Sequence, residues 1–165
     1  MLTEVTAGAV YPGTFDPLTY GHLDIIERSA RLFPRVIVAV ADNALKRPFF
    51  SLEERIAFIQ ESTQHLPNVG VRGFKVLLTT LLQELKLRVV IRGLRTATDF
   101  DYENQLTSIN QKLLPDFESV FLMPAEPLRT ISSTLVKELV LLGAEVGQFV
   151  PPVVAEAFTQ KAGDR

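Results

Sequence analysis

Two hydroxyl-rich stretches, YPGTFDPLTYGH (11–22) and RTISSTLVKE (129–138), hold many of the residues whose types and spacing suit chemistry on an anion. In the first, Thr14 supplies a hydroxyl and His22 a ring N–H. Gly21 lies where an apparent helix begins, so that unpaired backbone N–H groups and the helix dipole can receive a phosphate. A lone histidine at a helix start is ordinarily a surface residue. This one sits in a dodecamer with two prolines, two glycines and two threonines, whose spacing predicts a sharp turn at Pro12–Gly13 and another before Gly21. In the second stretch, Ser132, Ser133 and Thr134 open another helix. One hydroxyl suffices as a cap. Three in succession, with the adjacent N–H groups, make a phosphate cradle, with Lys137 one turn in and Arg129 nearby.

Cations supply the counterpart. IRGLRTATDFDYE (91–103) places Arg92 and Arg95 around a glycine at a strand end, where a guanidinium can take phosphate oxygens with its forked geometry. Asp99, Asp101 and Glu103 follow at a helix start, a position the dipole favours for any acid. Lys46 follows an apolar run and, taken alone, is an ordinary surface lysine. Other chemistries have no residues here. There is no G-x-x-x-x-G-K-[ST], no G-x-G-x-x-G and no G-x-S-x-G. No dense set of carboxylates and histidines forms a metal cage.

These residues need a frame, and the apolar pattern supplies one. Short β-branched runs at 5–11, 35–41, 69–74, 88–93 and 119–124 read as strands buried on both faces. Helical periods separate them. In 22–33, Leu23, Ile26, Ala30 and Phe33 share a face. Ser51 and Glu54 form a capping box ahead of Leu52, Ile56 and Ile59. Further helices are expected at 76–86, 98–113 and 132–142, with Pro151–Pro152 opening a last one. Strict β-α alternation implies a doubly wound five-stranded parallel sheet in the α/β class. Ligands of such sheets sit beyond the carboxyl ends of the strands, which is where the unusual residues fall.

The chain has 165 residues and no tract rich in Gly, Ser or Pro divides it, so a single domain spanning 1–165 is expected. Apolar residues make up 47% and charged residues 22%, which excludes a disordered chain. A net charge of −2 gives no support to nucleic-acid binding. The absence of cysteine removes disulfides, thiolate metal sites and a cysteine nucleophile. With no signal-peptide pattern and no run of about 20 apolar residues, a cytoplasmic protein without a membrane span is expected.

TYGH (19–22) and ISSTLVK (131–137) resemble the T/H-x-G-H and I-S-S/T-S/T-x-x-R/K signatures of the nucleotidyltransferase superfamily. Together with YPGTFDP, Lys46, IRGLR, DFDYE and ESVFLMP, in this order over nearly all of residues 8–160, they resemble the bacterial phosphopantetheine adenylyltransferases. The resemblance implies a Rossmann-like nucleotidyltransferase fold. It implies reversible transfer of AMP from ATP to 4′-phosphopantetheine, giving dephospho-coenzyme A and pyrophosphate. Mg²⁺ bound mainly through the ATP phosphates, a homo-oligomer (a hexamer) and coenzyme A as feedback inhibitor come with it.

By the same resemblance His22, Thr14, Lys46 and Arg95 are catalytic. Thr14, Phe15, His22, Gly93, Leu94, Arg95 and Glu103 bind ATP, with Leu128, Arg129, Thr130, Ile131, Ser132, Ser133 and Thr134. Thr14, Lys46, Leu78 and Arg92 hold phosphopantetheine. The loop AEPLRT departs from the family pattern, in which an aromatic residue often precedes the serines. Two alternatives stand beside this reading: a superfamily nucleotidyltransferase with another phosphate acceptor, and a nucleotide-binding module without turnover.

Overall fold

A computed structural model describes residues 7–42 and 47–163. Its centre is a parallel sheet of β1 (Ala9–Gly13), β2 (Val36–Ala41), β3 (Val69–Phe74), β4 (Val89–Gly93) and β5 (Glu118–Leu122), in the order β3-β2-β1-β4-β5. The chain leaves β1 in one direction to build β2 and β3, then returns to the other side for β4 and β5. The switch point therefore lies between β1 and β4. The strand alternation explains the two-sided burial. Ala9 and Tyr11 face one apolar cluster with Val36, Val38 and Val40, whereas Val10 and Ala39 face the other. The first face carries α1 (Tyr20–Leu32), α2 (Leu52–Ser62), α5 (Ser133–Leu141) and α6 (Pro152–Gly163). The second is covered by α3 (Leu78–Leu85) and by Leu114 and Phe117, just past α4 (Ala97–Leu113).

The doubly wound sheet and the six helix starts agree with the sequence reading to within a few residues; three details are corrected. The first strand runs to Gly13, so Pro12 and Gly13 belong to β1, paired with Ala39 and Val40, and are not a turn. The reversal comes later, where Phe15 adopts a left-handed backbone (φ 49°). Val5 and Thr6 lie outside the described residues. Second, α1 begins at Tyr20, with Thr19 as its cap. Third, its most buried positions are Ile25, Ile26 and Ser29, while Leu23 and Phe33 pack at the margin of the core.

Pro12 has a consequence for the site. The Ala9 N–H donates to Arg35 O, so odd-numbered N–H groups of β1 point toward β2 and even-numbered ones toward β4. Pro12 would face β4 and has no N–H to give. The β1–β4 ladder holds only Ala9↔Val89 and Val10↔Val90. Beyond it the two strands part, and a cleft opens at the switch point.

Candidate active site

The cleft has a volume of about 610 Å³. Tyr11, Pro12 and Gly13 at the end of β1 form its floor, with Arg92 and Gly93 from β4. Gly21, His22 and Ile25 enter from α1, and Thr98, Asp99, Tyr102 and Glu103 from α4. Pro124, Leu128, Ile131 and the Ser132–Thr134 helix start close it. Two signatures separated by about 110 residues in sequence thus share one cavity.

At α1, the histidine does an unusual job: it is the third residue of a capping box. Its backbone N–H donates to Thr19 Oγ1 at 3.3 Å, and its ring Nδ1 accepts the Thr19 backbone N–H at 3.1 Å. The Tyr20 N–H is taken by Phe149 O at 2.9 Å. Gly21 is left as the open N–H donor of this first turn among the described residues. Because Nδ1 is an acceptor, the neutral ring carries its proton on Nε2, the nitrogen not engaged by the cap. Burial, aided by the Arg95 charge, lowers the imidazole pKa to about 4, so His22 is a neutral donor near pH 7. The ring is wedged by Phe15, edge-on at 5.1 Å, which in turn meets Tyr11 edge-on at 5.3 Å.

The three hydroxyls of the second signature divide their work. Ser132 Oγ caps α5 by accepting the Leu135 N–H at 3.1 Å. Ser133 Oγ donates to Pro17 O at 2.8 Å. Thr134 lines the cleft with no hydrogen-bond partner for its hydroxyl among the described residues. The N–H groups of Ser133 and Thr134 are the open donors of this helix end.

The cations are paired with acids across the cleft. Arg92 Nε lies 3.0 Å from Glu103 Oε2, but the approach is not angled as a hydrogen bond and that oxygen has no hydrogen-bond partner. Burial works against both charges, raising the Glu103 pKa and lowering that of Arg92 more than their attraction offsets. Arg95 is held by Asp99, which accepts from its backbone N–H at 3.0 Å and from Nε at 3.2 Å. Burial alone would raise the Asp99 carboxyl; these hydrogen bonds outweigh it and hold it below the usual range. Thr96 caps α4 by accepting the Asp99 N–H at 3.2 Å.

The cleft gathers Phe15, His22, Arg92, Gly93, Arg95, Glu103, Leu128, Ile131 and Ser132–Thr134 as the sequence led one to expect. Other expected residues lie around it rather than on its wall. The Thr14 carbonyl accepts from Arg55 Nη1 at 2.8 Å. Leu94 is buried, its N–H on Leu122 O at 2.8 Å. Arg129 Nε donates to Pro124 O at 3.0 Å, and Thr130 is exposed. Leu78 starts α3 and packs at the margin of the second apolar cluster. Lys46 lies outside the described residues.

Residues that sequence reasoning passed over complete the wall or brace it. Tyr11, Thr98 and Tyr102 line the cleft. Arg55 is fully buried and donates to Phe50 O, Ser51 O, Thr14 O and Ala41 O at 2.8–3.2 Å, tying the ends of β1 and β2 to the start of α2. Asp24 accepts the Ala125 N–H at 3.0 Å, and Arg28 Nη1 donates to Met123 O, fixing the loop ahead of α5. A periodicity reading sees Arg55, Asp24 and Arg28 only as charges on helices, so it carries no signal of these contacts.

Comparison with known proteins gives the same picture. A model of the cytidylyltransferase-like family matches residues 10–139. The phosphopantetheine adenylyltransferase of Mannheimia succiniciproducens is 52% identical over 157 residues, covering 95% of this chain and 99% of that protein. Among solved structures, a Vibrio parahaemolyticus protein named for nicotinate-nucleotide adenylyltransferase superposes with a TM-score of 0.65 at 17% identity, over 92% of this chain and 97% of its own. A lipopolysaccharide core biosynthesis protein from Thermoplasma volcanium gives 0.54 at 22% identity, over 72% and 96%. These two likenesses speak to the fold. By the identity and coverage of the Mannheimia protein, and by the match to the wider family, this chain belongs to the phosphopantetheine adenylyltransferases of the cytidylyltransferase-like nucleotidyltransferases.

Proposed function

We propose that the protein transfers the adenylyl group of ATP to 4′-phosphopantetheine, forming dephospho-coenzyme A and pyrophosphate in a reversible step of coenzyme A synthesis. The observation that carries the reading is the convergence of two helix N-termini, a neutral His22 and the Arg92/Arg95 pair on one cleft at the β1/β4 switch point. Membership of the family sets the acceptor.

The chemistry is an in-line displacement. An oxygen of the phosphopantetheine phosphate attacks the α-phosphorus of ATP, the bond from that phosphorus to the bridging β-oxygen breaks, and pyrophosphate leaves. The attacking phosphate is already an anion, so a general base is unnecessary. The barrier falls through positioning and charge stabilisation. His22 Nε2–H donates to a nonbridging α-phosphoryl oxygen as charge builds there. The N–H groups of Gly21, Ser133 and Thr134, with Arg95, hold the rest of the triphosphate, and Thr14 serves at the junction of the two substrates. Phe15, Gly93, Leu94, Glu103 and the 128–131 segment bound the nucleoside. Arg92, Lys46 and Leu78 serve phosphopantetheine. An incoming dianion would also relieve Arg92, whose desolvated charge Glu103 only partly supports.

Mg²⁺ would arrive on the triphosphate. Among the described residues no group of three His, Asp or Glu could hold it, and Asp99 and Glu103 are turned to arginines, so no residue is assigned to the ion. No helix of the described residues is long and apolar enough to cross a membrane; a cytoplasmic location is part of the proposed reading by family resemblance. A homo-oligomer, a hexamer by family resemblance, with coenzyme A as feedback inhibitor, completes the reading. The oligomer is supported by an apolar stripe on α4 that its own sheet leaves uncovered.

Pyrophosphate release tests the assignment. Turnover is expected with ATP and 4′-phosphopantetheine and at least 100-fold less with other phosphate acceptors. Equal rates with another acceptor would reassign the substrate, and tight ATP binding without pyrophosphate would make the protein a binding module.

A further inference from the structure

The basic residue of the second signature invites a phosphate-binding role, and its surroundings assign it another. Lys137 Nζ lies 2.9 Å from Asp16 Oδ2, and it does not line the cleft. Asp16 is 4% exposed, and its carboxylate is fully engaged. Oδ2 also accepts the Phe49 N–H at 2.8 Å, and Oδ1 accepts the Phe50 N–H at 2.9 Å. One carboxylate therefore gathers three segments remote in sequence: the turn after β1, the approach to α2, and α5.

The neighbours on either side of Asp16 give this knot its purpose. Phe15 precedes it with the left-handed backbone that sets its ring against His22. Pro17 follows it, and its carbonyl takes the Ser133 hydroxyl. The turn is thus pinned to α5 twice, once by the Lys137 ammonium and once by Ser133. Beneath it, Arg55 holds the Thr14 carbonyl. Fixing Asp16 fixes the Phe15 ring on one side of the cleft and the open N–H groups of α5 on the other.

We propose that Asp16 and Lys137 form a positioning pair that registers the His22 half of the site against the Ser133–Thr134 half, with Lys137 acting through Asp16 rather than on a phosphate. The inference rests on the adenylyl-transfer reading for its kinetic consequence, though not for its geometry. In a low-dielectric setting a paired and hydrogen-bonded carboxylate gives a directional, rigid joint, and removal of one partner loosens the other. The separation of the two signatures then becomes a property of this joint.

The test uses Lys137→Met, Asp16→Asn, the double variant, and Lys137→Arg, whose guanidinium can still reach the carboxylate. The first readout is the ring ¹⁵N spectrum, which is simple because the chain has two histidines, His22 and His65. The His22 signals should shift alike in Lys137→Met and Asp16→Asn and return toward wild type in Lys137→Arg, with His65 unmoved. The second is kinetics with ATP and phosphopantetheine. kcat should fall roughly 10–100-fold in either single variant, in keeping with a displaced catalytic group. KM for ATP should move less than about 3-fold, and the double variant should be no worse than the poorer single one.

An unchanged His22 spectrum in folded Lys137→Met would overturn the proposal. So would a 10-fold weaker hold on ATP at full kcat, which would place the ammonium on a phosphate, and so would multiplicative losses in the double variant. If Lys137→Met does not fold, Lys137→Arg decides: wild-type His22 signals and kcat support the joint, and a loss of either overturns it. A wild-type protein that releases no pyrophosphate would sink the activity reading instead, and the ¹⁵N comparison would still decide the joint.

Discussion

At the scale of single residues, the role proposed for His22 and its structural role ask for the same state of the ring. As the third residue of the α1 capping box its Nδ1 must stay unprotonated, and as the donor we propose for the α-phosphoryl oxygen its Nε2 must keep its proton. Both are met only by the neutral ring in one tautomer, which a pKa of about 4 secures. The folded value lies below the ordinary 6.5, so between pH 6.5 and 4 the unfolded chain binds more protons than the folded one. Stability should therefore fall as pH is lowered through that window and be indifferent to His22 above it. Glutamine also closes capping boxes, so His22→Gln separates the duties. We expect Tm near wild type at neutral pH and a smaller loss of stability between pH 6.5 and 4. kcat should fall about 10²–10³-fold with the loss of the oriented donor. Chemical denaturation against pH, beside a pyrophosphate assay, checks all three; a wild-type kcat would remove His22 from the mechanism. The sequence showed the histidine and its helix. It did not show the tautomer, because the Thr19 N–H that sets it is presented by backbone already folded. Nor could it show that Lys137 belongs to Asp16, a partner 121 residues away in the chain.

At the scale of elements, the site depends on how β1 ends. Pro12 stops the ladder toward β4, and Gly13 lets the chain fold back on itself. A Cβ at Gly13 would come within 3.0 Å of two ring carbons of Phe15. Gly13→Ala should therefore push the Phe15 ring off His22. We expect roughly a 10-fold loss in kcat, and a cost of about 1–3 kcal/mol as for other overpacked sites, read as a Tm lowered by several degrees. A normal kcat in this variant would mean that Phe15 does not orient the imidazole. Much of the element order was legible. Five apolar runs marked the five strands: β1, β2 and β4 bury residues on both faces, and the edge strands β3 and β5, only partly buried, keep enough of the same pattern. The Ser51–Glu54 box marked α2 because capping is local chemistry. The end of β1 was misread because Pro-Gly is ordinary turn chemistry. It is tolerated in this strand because the missing N–H falls on the β4 side, while the pairing with β2 continues through Pro12↔Ala39 and Gly13↔Val40. The strand order is set by long-range pairing, which no local pattern contains.

For the whole molecule, α4 is the element that a lone chain leaves unfinished. It spans 17 residues, none of them buried. Phe100 and Thr107 face β5, through a ring contact with Phe121 and a 2.8 Å hydroxyl contact with Ser119. At about 100° per residue, Tyr102, Ile109 and Leu113 fall within roughly 40° of one another and away from that side. They are 61%, 56% and 56% exposed. The segment from Asn104 to Gln111 carries no charge, whereas a solvated helix face ordinarily does. A neutral apolar stripe with amide and hydroxyl flanks is self-complementary, and a second copy of α4 in a symmetric contact is the occupant we propose for it. Tyr102 belongs to both the stripe and the cleft wall, so the contact would border the site. The alanine and glutamate variants of Ile109 test this by sedimentation. Wild type should run as an oligomer. Ile109→Glu, which sets a charge against its copy, should shift it to smaller species, and Ile109→Ala should raise the dissociation constant by about 10-fold or more, as for a buried hot spot. Far-UV circular dichroism should stay native, since the side chain supports no core. If Ile109→Glu kept the full mass, the stripe would not be the interface, and a monomeric wild type would end the oligomer proposal. Pyrophosphate assays across the dissociation range would then show whether a cleft bordered by its neighbour works alone. A rate per subunit that drops on dilution would make the contact part of the active site's support.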